Sequence, residues 1–316
     1  MQYRTIGTSD LSVSVVGLGT WAMGNDFWGQ VDDNQSIRAI QEALDSGINL
    51  IDTAPAYGAG HAEEIVGQAI KGRRDEVVIA TKVGIIRTED DFIRNLKPES
   101  MRQEIEDSLR RLQIDVIDLY QIHWPDPDTP LEDSMAELTR MKDAGKIKHI
   151  GVSNFQVDLL QKAQAMEEIV SVQPQFSLLH RKAESSLLPY CAKNRIGVLG
   201  YGSLAGGILT GKFREIPELE EGDNRDKFYQ FFKEPTWSRV QNVLDVLRAV
   251  AEERGVTVAQ VAVNWAFQQR GITSALVGAK NPSQARSNAG AGEWSLSEDE
   301  VARINRAYDE NLRKTV

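Results

Sequence analysis

The chain has 316 residues with 36 Lys or Arg against 46 Asp or Glu, a formal net charge of -10. It carries no basic run or Lys/Arg stripe interleaved with aromatics, so nucleic acid is excluded as an expected partner. No apolar stretch approaches the roughly 18–20 residues a membrane-spanning helix needs, and Met1-Gln2-Tyr3-Arg4-Thr5 lacks the order of a signal peptide, which excludes a membrane and points to a cytoplasmic protein.

In chain order, residues 3–13, with the turn Gly7-Thr8-Ser9-Asp10, predict a hairpin. Val15-Val16-Gly17-Leu18 is then the first of eight short apolar runs; the others are 49–54, 77–82, 116–123, 149–154, 171–176, 197–202 and 274–279. Helical patterns fill the gaps at 33–47, 61–72, 98–113, 130–145, 156–167, 184–195, 236–255 and 257–270, and 297–313 reads as a final amphipathic helix. Pro98 and Pro130 suit a first helical position, and Gly47, Gly145 and Gly255 suit a C-terminal cap. Runs buried on both faces and joined by helical crossovers imply a parallel sheet. Eight such units, with no low-complexity linker between them, imply an α/β fold of one domain over 1–316: a (β/α)8 TIM barrel with an N-terminal hairpin and C-terminal extra helices. The single cysteine, Cys191, falls in a helical stretch, cannot form an internal disulfide and reads as a buried, inert thiol.

Active sites of such barrels lie at the C-terminal ends of the strands. Asp52 ends the second run, Lys82 the third and His123 the fourth, while Tyr57 follows in the Pro- and Gly-rich loop after Asp52. Taken singly, each has an ordinary structural explanation: a turn cap, a loop contact, a solvated strand end, a hydrogen-bonded histidine. Their joint occurrence at neighbouring strand ends argues for chemistry. Tyrosine, with an ordinary pKa of about 10, is a poor acid at neutral pH, but a nearby ammonium favours the phenolate. Lys82 suits that part, Asp52 would keep it charged, and His123 could bond a substrate oxygen or relay a proton.

The constellation Asp52, Tyr57, Lys82 and His123, with Gly17-Leu18-Gly19-Thr20-Trp21 on the first strand and Gly151-Val152-Ser153-Asn154-Phe155 on the fifth, resembles the aldo-keto reductase superfamily over nearly the whole chain. Asp52-Thr53-Ala54-Pro55-Ala56-Tyr57-Gly58, Tyr120-Gln121-Ile122-His123-Trp124-Pro125-Asp126-Pro127 and Tyr201-Gly202-Ser203-Leu204 are most similar to its bacterial general-stress type. The resemblance implies hydride transfer from a nicotinamide cofactor to an aldehyde or ketone, with Tyr57 protonating the oxyanion. By the same resemblance, Gly19, Thr20, Trp21 and Asp52 border the cofactor. Ser153, Asn154 and Gln173 hold its carboxamide, Tyr201 stacks on its ring, and Gly202, Ser203, Leu204 and Gly206 lie along the pyrophosphate. Gly278, Lys280, Gln284, Ser287 and Asn288 form the adenosine site, with Lys280 and Gln284 on a 2′-phosphate, which favours NADPH. Two positions depart from close relatives, which often carry an arginine where Gly206 stands and a glutamate where Ser287 stands.

Trp21, Trp28 and Trp124, with Phe27, flank the strand mouth and are candidates for an apolar substrate pocket or simply a cover over the core. Residues 213–235, with Glu218, Glu220, Glu221 and Asp223 near Arg225, form a long polar insertion that reads as a lid or as a solvated loop. Gly206-Gly207-Ile208-Leu209-Thr210-Gly211-Lys212 imitates a P-loop, but Phe213 replaces the required Ser or Thr; Gly200-Tyr201-Gly202 opens a dinucleotide fingerprint that fails at Ala205. His61, His123, His149 and His180 show no paired spacing, so no metal is expected.

The expectation is an NADP-dependent oxidoreductase that reduces small aldehydes or ketones such as glyceraldehyde, methylglyoxal or aromatic aldehydes, reversible toward alcohols and polyols. Its partners are then small carbonyl or alcohol substrates, and the sequence leaves the oligomeric state open, a monomer included. The first rival is a nicotinamide-redox-sensing subunit resembling potassium-channel β subunits. The second is a barrel isomerase, for which the tyrosine and lysine supply no obvious carbon-acid base.

Overall fold

A computed structural model describes residues 1–25, 28–29, 31–88, 91–220 and 222–313. Short β-rich runs form strands and amphipathic stretches form helices in alternation. β1 (Tyr3–Thr5) and β2 (Ser12–Ser14) pair antiparallel as the N-terminal hairpin. β3 (Val16–Gly19), β4 (Leu50–Asp52) and β5 (Val78–Val83) begin the barrel. β6 (Ile85–Arg87) and β7 (Phe92–Arg94) make a second antiparallel hairpin, and β8 (Ile117–Ile122), β9 (Ile147–Ser153), β10 (Ser171–Gln173), β11 (Gly197–Gly200) and β12 (Ser274–Gly278) complete the barrel. Its eight strands close in the order β3-β4-β5-β8-β9-β10-β11-β12 and back to β3, all parallel, so every apolar run finds its place.

The helices are α1 (Asp33–Asp45), α2 (His61–Ala69), α3 (Pro98–Leu112), α4 (Leu131–Asp143), α5 (Val157–Gln164), α6 (Leu187–Asn194), α7 (Arg225–Phe228), α8 (Thr236–Arg254), α9 (Val258–Gln268), α10 (Pro282–Gly290) and α11 (Glu298–Asn311). Pro98 opens α3 as expected, whereas Pro130 stands one position before α4, as its N-cap. α6 is shorter than its pattern because residues Lys182–Ser185 form a separate 3₁₀ turn. None of these helices is long and apolar enough to cross a membrane. Cys191 on α6 is fully buried, and burial pushes its thiol up to about 12, which keeps it an inert thiol.

Side chains alternate across each strand, and this decides what the barrel holds. Leu50, Ala80, Leu119, Leu199 and Leu276 meet Ile6, Leu11 and Val13 from the hairpin in one apolar cluster, so the hairpin plugs the barrel floor. Two residues further along the strands, Asp52, Lys82, Gln121 and Gln173 form a buried polar layer above that floor.

On the helix side of β5 and β8 lies a second buried polar group. Glu63 accepts from Thr81 Oγ1 at 2.6 Å and from Arg111 Nε at 2.8 Å. Glu104 accepts from the Gly84 amide at 3.0 Å and Ser100 Oγ at 3.3 Å, yet burial pushes its carboxyl up to about 7. Folding therefore raises the affinity of Glu104 for its proton. The penalty of charging it in place is absent below the unfolded pKa near 4.5 and grows to its full size as pH rises through about 7. Glu104→Gln keeps an acceptor for Gly84 and removes the charge. It is expected to raise the melting temperature by a few degrees at pH 8 and by less at pH 5, since about 1.4 kcal/mol accompanies each unit of pKa shift. Equal gains at both pH values would show that this charge carries no such cost.

Candidate active site

Lys82 is 1% exposed and its ammonium sits among three acceptors: Asp52 Oδ1 at 2.6 Å, the Thr53 carbonyl at 2.9 Å and Tyr57 Oη at 3.2 Å. An ammonium has three donors, so the set is complete. Burial lowers the Lys82 pKa, while the charge and hydrogen bond of Asp52 push it back up. Asp52, 3% exposed, uses its other oxygen to accept from Gln173 Nε2 at 2.7 Å and Gln121 Nε2 at 3.4 Å. The carboxylate is therefore held from both sides, and the lysine with it.

Tyr57 starts a 3₁₀ turn just past the β4 mouth, with its amide bonded to the Ala54 carbonyl at 3.1 Å. The next residue must be glycine. Gly58 has φ +61°, and a Cβ there would lie 2.1 Å from the Gly24 carbonyl oxygen. That close approach docks the turn Trp21–Gly24 on the Tyr57 loop and stacks the Trp21 and Tyr57 rings at 6.1 Å and 25°. The His123 ring meets the Tyr57 ring edge-on at 5.9 Å and 86°. Enclosure by the mouth, and secondarily the Lys82 charge, hold the His123 pKa well below its ordinary value, so its imidazole is neutral at neutral pH. Because Lys82 donates to Tyr57 Oη, the phenol proton is left to point elsewhere, and a phenolate formed there faces a cation. The arrangement can deliver a proton from Tyr57 to an oxygen in the mouth.

Two adjoining cavities open at this mouth, sharing Trp21, Tyr57, Tyr201 and Tyr229. The first, about 370 Å³, runs along Gly19, Thr20, Trp21, Asp52, Tyr201, Gly202, Ser203, Leu204 and Gly206 to Gly278, Lys280, Gln284, Ser287 and Asn288. Each of these was singled out from the sequence. The second, about 490 Å³, holds His123, Ser153, Asn154, Gln173 and Trp124. Ser153 Oγ donates to the Gln173 carbonyl at 2.8 Å, and Tyr201 Oη donates to Asn154 Oδ1 at 3.0 Å, which ties the two cavities together. Lys82 lies beneath both and meets their lining through Tyr57 and Asp52. Trp28 lines the first cavity and not the second, which sets it apart from Trp21 and Trp124; Phe27 lies outside the described residues, as does Glu221.

At the far end of the first cavity α10 begins. Asn281 caps it by accepting the Gln284 amide at 3.0 Å, and Lys280 Nζ donates to the Trp28 carbonyl. A helix N-terminus beside a lysine suits a phosphate. Lys212, Arg225 and Lys280 border this cavity, whose one lining carboxylate, Asp52, is already paired to Lys82. An elongated cleft with stacking aromatics at one end and cations at the other fits a dinucleotide.

Sequence reasoning did not single out Tyr229, Phe228, Phe92 or Arg94 for the site. The β6–β7 hairpin brings Phe92 and Arg94 to the second cavity, and residues Arg225–Phe228 with Tyr229 reach across both. The P-loop-like stretch folds into a 3₁₀ segment, Ala205–Thr210, with Gly206 and Gly207 at positive φ, and not into a strand-to-helix turn. Among the described residues there is no cluster of three or more potential metal ligands.

Barrel and mouth define a class: a (β/α)8 barrel with a tyrosine–lysine–aspartate cluster at the C-terminal ends of its strands. Residues 15–309 match the model of the aldo/keto reductase family, and the chain belongs to that family, as an oxidoreductase. It is 40% identical to the aldo-keto reductase YhdN of Bacillus subtilis, over 100% of this chain and 96% of that protein. It is 36% identical to an NADH-specific methylglyoxal reductase of Escherichia coli, over 99% of this chain and 100% of that protein. The solved glycerol dehydrogenase AKR11B4 of Gluconobacter oxydans superposes with a TM-score of 0.91 at 37% identity, covering 99% of this chain and 97% of that one.

Proposed function

We propose that this protein is an NADPH-dependent reductase of small aldehydes and ketones that also runs in the direction of alcohol or polyol oxidation. The observation that carries the reading is the Lys82 ammonium with its third donor on Tyr57 Oη at 3.2 Å. A nicotinamide held in the first cavity would supply a hydride for the carbonyl carbon. Tyr57 gives its proton to the carbonyl oxygen, Lys82 stabilises the phenolate left behind, and Asp52 keeps Lys82 charged and in place. His123, neutral and beside Tyr57, orients the carbonyl oxygen. Ser153, Asn154 and Gln173 would hold the carboxamide, and Tyr201 would back the ring.

The names of two relatives, a methylglyoxal reductase and a glycerol dehydrogenase, support small oxygenated C3 compounds as first substrates. Cofactor choice turns on the adenosine end. The E. coli relative is named NADH-specific, whereas here Lys280 stands at the start of α10 with two further cations around the same cavity. That charge supports NADPH. Oxidation of NADPH with DL-glyceraldehyde and with methylglyoxal, beside NADH, tests the reading. Lys280→Met is expected to raise KM for NADPH about tenfold and leave that for NADH unchanged, since only NADPH carries the 2′-phosphate. No turnover with either nucleotide would overturn the function, and a loss shared equally by both would overturn the role of Lys280.

A further inference from the structure

Apart from the neutral His123, the described residues lining the second cavity carry aromatic, aliphatic, hydroxyl or amide side chains, and the one ion among them is Arg94. Its place is set by the β6–β7 hairpin. Arg94 ends β7 opposite Ile85 of β6, and Ile85 lines the same cavity. The hairpin base is closed by the Asn95 amide on the Gly84 carbonyl at 3.1 Å and by the Gly84 amide on Glu104 at 3.0 Å. The exposed guanidinium then lies over the Trp124 ring, 5.1 Å from its centre, and Trp124 follows His123 at the end of β8. A cation is thereby carried to the rim of the cavity that holds Tyr57 and His123.

Among the described residues Arg94 makes one hydrogen bond, from Nη1 to the Pro125 carbonyl at 3.4 Å, and no ion pair. Asp126, the next residue, is already committed: it accepts from the Leu96 amide at 3.0 Å, the Asp128 amide at 3.0 Å and Thr129 Oγ1 at 2.7 Å. Most of the guanidinium's five N–H donors are therefore left over, in a planar fork that matches two oxygens of a carboxylate or phosphate. The chain as a whole repels anions, with a net charge of -10, so an unneutralised cation at this mouth is what an anionic substrate requires.

We propose that Arg94 makes this protein a reductase of small aldehydes and ketones that carry an anionic group, a carboxylate or a phosphate, at the end remote from the carbonyl. Tyr57 and His123 take the carbonyl oxygen, and Arg94 takes the anion across a cavity of about 490 Å³. The anion itself does not react: the hydride adds to the carbonyl carbon and Tyr57 protonates its oxygen, as for a neutral aldehyde. Arg94 thus determines specificity without touching the reacting atoms. The proposal rests on the reductase reading above and names the substrate class of the same cavity.

Steady-state kinetics on matched pairs test it: 4-oxobutanoate beside butanal, and D-glyceraldehyde 3-phosphate beside D-glyceraldehyde, each with NADPH and with NADH. In the native protein kcat/KM is expected to be about tenfold higher for the charged member of at least one pair, mainly through a lower KM. The pair that shows it identifies the anion. Arg94→Met is expected to lower the charged-to-neutral ratio about tenfold, in KM more than in kcat, and Arg94→Lys to keep part of it as a charge without the fork. Because the ratio compares two substrates of one preparation, a partly unfolded variant does not imitate the effect. Raising the ionic strength from about 0.05 M to about 0.5 M should lower the native ratio severalfold and leave that of Arg94→Met flat, since an exposed ion pair is screened. A native ratio of one or less in both pairs, or a ratio that Arg94→Met leaves unchanged, overturns the proposal while the reductase reading stands. If no aldehyde, charged or neutral, is reduced with either nucleotide, the reductase reading fails first and this proposal with it.

Discussion

Tyr57→Phe is expected to lower kcat for carbonyl reduction by about 10²- to 10⁴-fold, with NADPH affinity within about twofold of native. The phenylalanine ring preserves the stack on Trp21 and the edge contact with His123, so the mouth keeps its shape. What disappears is the one hydroxyl that sits both at the cavity and on Lys82. Steady-state turnover beside a fluorescence titration of NADPH decides the matter, and a variant retaining more than about a tenth of native kcat would remove Tyr57 from the role of proton donor. The pH profile carries a second sign. Burial lowers the Lys82 pKa, so as pH rises through that lowered value the ammonium becomes an amine and no longer stabilises the phenolate. The reduction rate of the native protein is expected to fall on the alkaline side, earlier than an exposed lysine would allow.

Lys82→Met should combine loss of turnover with loss of stability. Asp52 would keep its two glutamine donors but lose its cation while 3% exposed. Leaving one half of a buried pair unpaired costs about 3–5 kcal/mol, which in a chain of this size corresponds to a melting temperature lower by roughly 5–15 °C. Lowering the pH should recover part of the loss, because an unpaired buried carboxylate binds a proton more tightly when folded. The double variant Lys82→Met with Asp52→Leu should also recover part, having no charge left to bury. Thermal denaturation at pH 7.5 and pH 5 measures both effects. An unchanged melting temperature in the single variant would mean that the pair is not buried as a pair in solution.

The eight strands and most helices were legible because their signals are local: a both-faces-buried run, a 3.6-residue period, and glycines at positions 47, 145 and 255 whose φ of +87°, +73° and +65° end helices. α10 was faint to periodicity because its buried positions are Ala285, Asn288 and Ala289, which give little apolar contrast. The β6–β7 hairpin was missed because its β7 side chains are exposed, so no buried face marks it.

Within the mouth, sequence alone determined which ionisable groups end the strands, since strand ends and the two-residue period can be read along the chain. By family resemblance it also identified much of the lining of the first cavity, but not Lys212, Arg225 or Tyr229. Only the tertiary structure decided what those groups do to one another. Asp52 meets Lys82 across 30 positions and Gln173 across 121 because barrel closure and strand register bring one inward layer together. Arg225 and Tyr229 entered the site for the same kind of reason: they lie in a polar insertion without periodicity, and only its path back over Gly206 brings them to the first cavity. Local patterns are written in neighbouring residues, whereas contacts between distant ones follow from how the closed barrel packs.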